Sequence, residues 1–295
     1  MNTTANTLPK EMTEEAFYRL ALNYVPGIGV KLGKALLDRF GSAVGVFNAS
    51  MKALVSVPGI SEPKVQQLRD DEIFRKTEKE AAFIAKNNIR TFFITDEDYP
   101  KRLANCADAP LMLFYKGNAN LDAQRIVAVV GTRKNTEYGV QLCEELVQGL
   151  QGQEDVLIVS GLAYGIDAVA HKKSVALGMP TIGVMAHGLD RIYPPMHKNL
   201  ANEMAECGGL LTEYTTGTIP DKGSFPARNR IVAGMSDITV VVESDRKGGA
   251  LITAHMASSY NREVAAFPGR VNDNRSAGCN ELIRTNIAAM ITGAD

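Results

Sequence analysis

Six short runs rich in valine, isoleucine and leucine, separated by helix-length segments, predict an α/β protein. Its core is expected to be a mostly parallel sheet with helices on both faces. A second observation predicts what precedes that core. Residues 14–75 carry apolar positions at helical spacing and are broken by two Pro-Gly turns. Length is the third: 295 residues at roughly 150 per domain leave room for two domains. The expected architecture is a small all-helical domain over residues 1–75, then a Rossmann-like domain over 76–295.

The first ten residues are polar and expected to fray. From Glu14 the helical pattern is interrupted at Val25-Pro26-Gly27-Ile28-Gly29 and again at Val57-Pro58-Gly59-Ile60-Ser61. After the first turn, Leu32, Ala35, Leu36 and Phe40 share one helix face. The two units form an internal repeat that resembles the helix-hairpin-helix (SAM-like) motif, whose tight turn exposes backbone N–H groups able to hold a phosphate. A module stabilised by its own turns, or a protein-contact surface, fits the same residues. Residues 76–125 add a helix, β-rich runs at 90–95 and 111–115, and turns at Asp98-Tyr99-Pro100 and Asp108-Ala109-Pro110. Their aromatic and aliphatic content marks an attached edge of the larger domain, not a flexible linker.

The regular alternation follows. The runs IVAVVG (126–131), VLIVSG (156–161), TIGVMA (181–186), GLLTEY (209–214), ITVVVE (238–243) and EVAAFPG (263–269) have the continuous apolar character of strands buried on both faces. Strand, helix, strand at this spacing implies right-handed βαβ units.

Composition excludes several function classes. The chain is 45% hydrophobic and 22% charged, with 32 Lys+Arg against 33 Asp+Glu. A formal charge of -1 argues against a basic nucleic-acid wrapper but leaves room for a local patch. No run approaches a membrane span, and residues 1–15 lack the apolar region of a signal peptide. Cys106, Cys143, Cys207 and Cys279 are scattered, as in a reducing cytoplasm, and the four histidines lack the spacing of a metal site. No metal or cofactor is expected.

In an open parallel sheet, ligands bind beyond the carboxyl ends of the strands. The loop after the first run, Gly131-Thr132-Arg133, is not GxGxxG, and no acidic residue ends the second run. That argues against a dinucleotide enzyme, and the absence of Gly-Lys-Ser/Thr argues against a P-loop. Ser160 lacks the flanking glycines of a hydrolase elbow. What remains is a crevice of small residues, backbone donors and a few cations. Helices starting near Tyr138, Gly165 and Phe225 would aim positive dipole ends into it, favouring phosphate. Gly131, Gly161 and Gly165 would let a phosphate approach the backbone. Arg133, Lys198, Arg228 and Arg230 supply charge, and Tyr193 and Phe225 offer faces for base stacking. Taken singly, Arg133 and Lys198 also read as solvated or carboxylate-paired cations. Arg228 and Arg230, flanking Asn229 near an expected helix N-terminus, would be relieved by a bound anion. Tyr193 also reads as a packed aromatic, and Asp167 and Asn229 as helix caps.

Taken together, GTRxxxxYG, SGLAYGIDAVAH, GLDxxYP, FPARNRIVAG and GGALITA followed by FPG resemble the DNA processing protein A family (DprA, also called Smf). The resemblance spans most of the chain. It implies a cytoplasmic, non-enzymatic protein that binds single-stranded DNA without base specificity and loads RecA recombinase onto it, typically as a homodimer, with natural transformation the best-known setting. On that pattern Gly131, Thr132 and Arg133 would grip a backbone phosphate, and Ser160, Gly161 and Gly165 would form the neighbouring wall. Lys198, Arg228, Asn229 and Arg230 would continue the basic track. The family often writes the late loop as Ser-Gly-Ser-Leu; here Gly248-Gly249-Ala250-Leu251 lacks two hydroxyls. Many members continue into a winged-helix-like domain, whereas this sequence ends at Asp295. An alternative is a phosphoribohydrolase-like enzyme or nucleotide sensor on the same sheet, with Glu243 as its carboxylate, although Lys247-Gly248-Gly249 lacks the proline of that loop.

Overall fold

The computed structural model describes residues 12–221 and 223–294, so the polar stretch expected to fray lies outside the described residues. Contacts divide the chain into two compact units. One comprises the residues up to 97 with 108–114, and the other comprises 98–107 with 115 onward.

The first unit carries helices α1 (Glu14–Tyr24), α2 (Val30–Phe40), α3 (Ala43–Asn48), α4 (Met51–Val55), α5 (Glu62–Leu68) and α6 (Asp71–Lys86), then strand β1 (Arg90–Phe93). The two Pro-Gly turns have matching geometry: Ile28 N donates to Val25 O and Ile60 N to Val57 O. Gly27 and Gly59 have φ of +73° and +88°, a region that glycine enters without cost. The sequence places a boundary at residue 75, but α6 runs through it. Ile73, Thr77, Ala81 and Ile84 make one buried face of that helix, and α6 packs on α1, which draws residues 76–97 into the helical unit.

The second unit begins with α7 (Lys101–Ala104) and the end of β2 (Met112–Gly117). It continues through β3 (Arg125–Val130), α8 (Glu137–Leu150), β4 (Val156–Ser160), α9 (Ile166–Ala176) and β5 (Thr181–Val184). Next come α10 (Lys198–Cys207), β6 (Gly209–Thr212), α11 (Ser224–Met235) and β7 (Ile238–Val241). It closes with α12 (Gly249–Ser259), β8 (Glu263–Ala266), α13 (Ala277–Arg284) and β9 (Ala289–Met290). All six apolar runs are strands, and those from β3 to β9 are parallel in the order β6-β5-β4-β3-β7-β8-β9.

That order decides where a ligand can sit. The chain moves from β3 outward to β6, then returns to β7 on the other flank of β3. Right-handed crossovers taken in opposite directions put their helices on opposite faces. On one face Leu142, Leu146, Ile166 and Ala170 of α8 and α9 cover Val127, Val129 and Ile158. On the other, α11 and α12 pack together against β3 and β7. Loops after β3 and β7 therefore diverge, opening a crevice at the switch point.

Candidate functional site

The crevice is a cleft of about 610 Å³ at the carboxyl ends of β3, β4 and β7. Its walls include Gly131, Thr132, Arg133, Gly161, Asp167, Arg228 and Asn229. The loop after β3 is pinned at its backbone. Thr132 N donates to Glu243 O (2.8 Å) and Ile166 N donates to Thr132 O (3.2 Å). Arg133 thus projects, exposed, from a fixed base. Its guanidinium carbon lies 5.3 Å from the centre of the Phe225 ring, a cation–π arrangement. Tyr193, 46% exposed, has its ring 5.9 Å from that of Phe225 at 46°. A cation and two rings form one platform: Arg133 borders the cleft, and Tyr193 and Phe225 line a small adjoining hollow that shares Arg133, Gly161 and Arg228 with it.

The other expected residues divide sharply. Arg228 is 3% exposed; its guanidinium donates to the carbonyl oxygens of Gly161 and Val184, and to Asn229 Oδ1 at 3.1 Å. It is a strut beneath the cleft. Asp167 faces it, accepting from Gly161 N at 3.1 Å and Ala163 N at 3.4 Å. Burial pushes the Asp167 carboxyl above its ordinary range, against the opposing pull of Arg228 and those N–H groups. Arg228 and Arg230 are the fifth and seventh residues of α11, beyond its positive end, and Arg230 pairs with Glu213. Ser160 is fully buried, donating to Val129 O at 2.6 Å. Lys198 is exposed at the start of α10, in a separate hollow of about 290 Å³ with Lys116, Asp190 and Arg191.

The glycines answer to protein atoms. A Cβ on Gly131 would lie 2.7 Å from Ile166 Cβ, one on Gly161 2.6 Å from the Arg228 guanidinium, and one on Gly165 2.7 Å from Arg133 Cα. Close packing of the three loops, not phosphate approach, explains these positions. Helix ends are likewise occupied. At α8, Thr136 caps Gly139 N, while its own N–H and hydroxyl donate to the Glu243 carboxylate at 2.9 and 2.5 Å. Asp167, an acid in the first turn of α9, accepts from the loop N–H groups of Gly161 and Ala163, and Asp221 accepts from Gly223 N and Ser224 N at the start of α11.

Cleft residues that sequence reasoning left without a role include Lys134, Asp245, Thr253 and Arg275. Lys134 adjoins Arg133, and Asp245 and Thr253 flank the Gly248-Gly249 loop that strand order already places at the crevice. Nothing in the sequence brings Arg275 there. Among the described residues no group of histidine, cysteine, aspartate and glutamate side chains could hold a metal, and no helix is long and apolar enough to cross a membrane.

The family model described as DNA recombination-mediator protein A matches residues 90–295, and a SAM-like helix-hairpin-helix tandem matches residues 20–71. The chain belongs to the DNA recombination-mediator protein A family. Among its family relatives, the DNA processing protein DprA of Streptococcus pneumoniae is 41% identical over 205 residues, 70% of this chain and 72% of that one. Protein Smf of Synechocystis is 34% identical over 287 residues, covering 94% and 71%. The X-ray structure of Streptococcus pneumoniae DprA superposes with a TM-score of 0.77 at 33% identity, covering 96% of both chains. A structure describing the single-stranded DNA binding mode of Helicobacter pylori DNA processing protein A gives 0.63 at 33% identity, covering 70% of this chain and 92% of that one. Family membership thus agrees with the parallel α/β topology of β3 to β9 and with the helical hairpins.

Proposed function

We propose that the protein binds single-stranded DNA across the mouth of the cleft and loads RecA recombinase onto it. In this reading it is a non-enzymatic mediator of homologous recombination and natural transformation, acting in the cytoplasm as a homodimer. The observation that carries the reading is the platform of Arg133, Phe225 and Tyr193. Ring faces stack on any base, so they give binding without base specificity, and only a strand whose bases are unpaired can present them. Arg133 adds a cation for the adjoining phosphate. The relative from Helicobacter pylori, whose structure describes single-stranded DNA binding, supports the same assignment.

The enzyme alternative needs Glu243 as an available carboxylate. That group is 3% exposed and holds the start of α8. Fluorescence anisotropy with labelled oligo-dT and with duplex tests the proposal. Oligo-dT should bind more tightly, and Arg133→Ala should weaken it for every base composition. Equal affinity for duplex, or indifference to Arg133, overturns the reading. RecA filament growth on the strand, with and without the protein, tests the loading step, while base release from nucleoside monophosphates would revive the enzyme.

A further inference from the structure

Inward from the platform, the cleft reaches the start of α12, which differs from the other helix ends around it. That end has no side-chain cap and no acid in its first turn, features it shares with α11, but among the described residues no carboxylate accepts from its first N–H groups as Asp221 does at α11. A Cβ on Gly249 would find nothing within 4 Å, so this end opens onto empty space. One turn further along α12, Thr253 lines the same cleft while only 2% exposed. Among the described residues none hydrogen-bonds its hydroxyl, although the threonine is almost wholly enclosed. Charge points the same way. Arg133, Lys134, Arg228 and Arg275 line the cleft against Asp167 and Asp245, an excess of two positive charges.

Resting on the strand-binding reading of this cleft, we propose that its inner end binds the terminal phosphomonoester of a nucleotide. The N–H groups of Gly249 and Ala250 and the Thr253 hydroxyl would receive it, with the Lys134 cation adding charge. An internal phosphodiester carries one negative charge and continues into sugar on both sides, so it cannot lower an oxygen to a side chain as enclosed as Thr253. A monoester carries about -1.5 to -2 charges and presents three terminal oxygens, which suits both the depth and the charge of the pocket. A strand end and a free mononucleotide share this chemistry.

The test uses the full chain with short oligo-dT bearing a 5′-phosphate, a 3′-phosphate or hydroxyls only, and with dTMP as competitor. One phosphorylated end should bind about tenfold more tightly than the hydroxyl form, the gain expected of new charge-assisted hydrogen bonds. Gly249→Glu and Thr253→Val should bring that ratio to about one. Gly249→Glu has open space, and an acid in the first turn favours a helix, so it keeps the fold; thermal melts of both variants check this. An end preference without dTMP competition assigns the pocket to strand ends, and dTMP binding sensitive to both substitutions assigns it to free nucleotides. Equal binding of all three oligonucleotides with no dTMP binding overturns the pocket and leaves strand binding standing. A preference that survives both substitutions also overturns it. Failure of every oligonucleotide to bind overturns the strand-binding reading instead.

Discussion

The guanidinium of Arg228 donates to two carbonyl oxygens and faces the buried carboxyl of Asp167, whereas that of Arg133 lies in solvent over an aromatic ring. Arg228→Met preserves much of the volume but strands Asp167, and breaking a buried charge pair from one side costs about 3–5 kcal/mol. Denaturant unfolding should show that loss, while Arg133→Ala, at the surface, should change stability by less than about 0.5 kcal/mol. An Arg228→Met protein as stable as the parent would mean that the guanidinium does not hold the carboxyl. His171 belongs to the same enclosed layer, its Nδ1 2.7 Å from Thr181 Oγ1. Burial, with Arg228 and His197 adding to it, holds its pKa down to about 3 from 6.5. Between those values the unfolded chain takes up a proton that the fold refuses. Its contribution is therefore complete above about pH 6.5 and is lost as pH falls toward 3. Asp167, raised by burial, acts in the opposite sense, favouring the fold as pH falls. Unfolding midpoints should drop between about pH 6.5 and pH 4.5, and His171→Gln should flatten that drop.

Secondary-structure elements were the most legible level of this molecule. Strands buried on both faces must be written as continuous apolar runs, so β3 to β8 stand out, and the expected helix starts at Tyr138, Gly165 and Phe225 fall within one residue of α8, α9 and α11. What occupies those helix ends was not legible, because the occupants come from elsewhere. Glu243 reaches Thr136 across 107 residues of sequence, and proximity created by a parallel sheet leaves no local pattern. The same limit hid the outcome for Arg228, which looks like a surface cation in FPARNR until β4 and β5 bring Gly161 O and Val184 O against it. Lys198 was read into one track with Arg133, but the turn at Pro195–His197 and the start of α10 place it in another hollow. The role of Glu243 can be measured. Glu243→Ala deletes the acceptor for both donors of Thr136 and should destabilise the protein by about 1–2 kcal/mol, with oligo-dT affinity unchanged. Loss of affinity at undiminished stability would place Glu243 in the binding chemistry.

Across the whole molecule the charges nearly cancel, and residues 126–295, which contain the cleft, carry fifteen Lys+Arg against eighteen Asp+Glu. A binder of that composition cannot hold DNA by its overall field, since exposed charges beyond about 8 Å are screened at physiological salt. Affinity must come from stacking and from the few cations at the mouth. Each phosphate neutralised on a single strand contributes about -0.7 to the slope of log K against log salt. Contacts from Arg133 and Lys134 alone therefore predict a slope near -1.4, falling to about -0.7 in Arg133→Ala. Tyr193→Ala should instead lower affinity by about 1–3 kcal/mol with the slope unchanged, because stacking releases no counterions. Titrations of oligo-dT across a salt series separate these two effects. A slope several times steeper, persisting in Arg133→Ala, would move the binding to cations outside the cleft, such as Lys116, Arg191 and Lys198 in the neighbouring hollow.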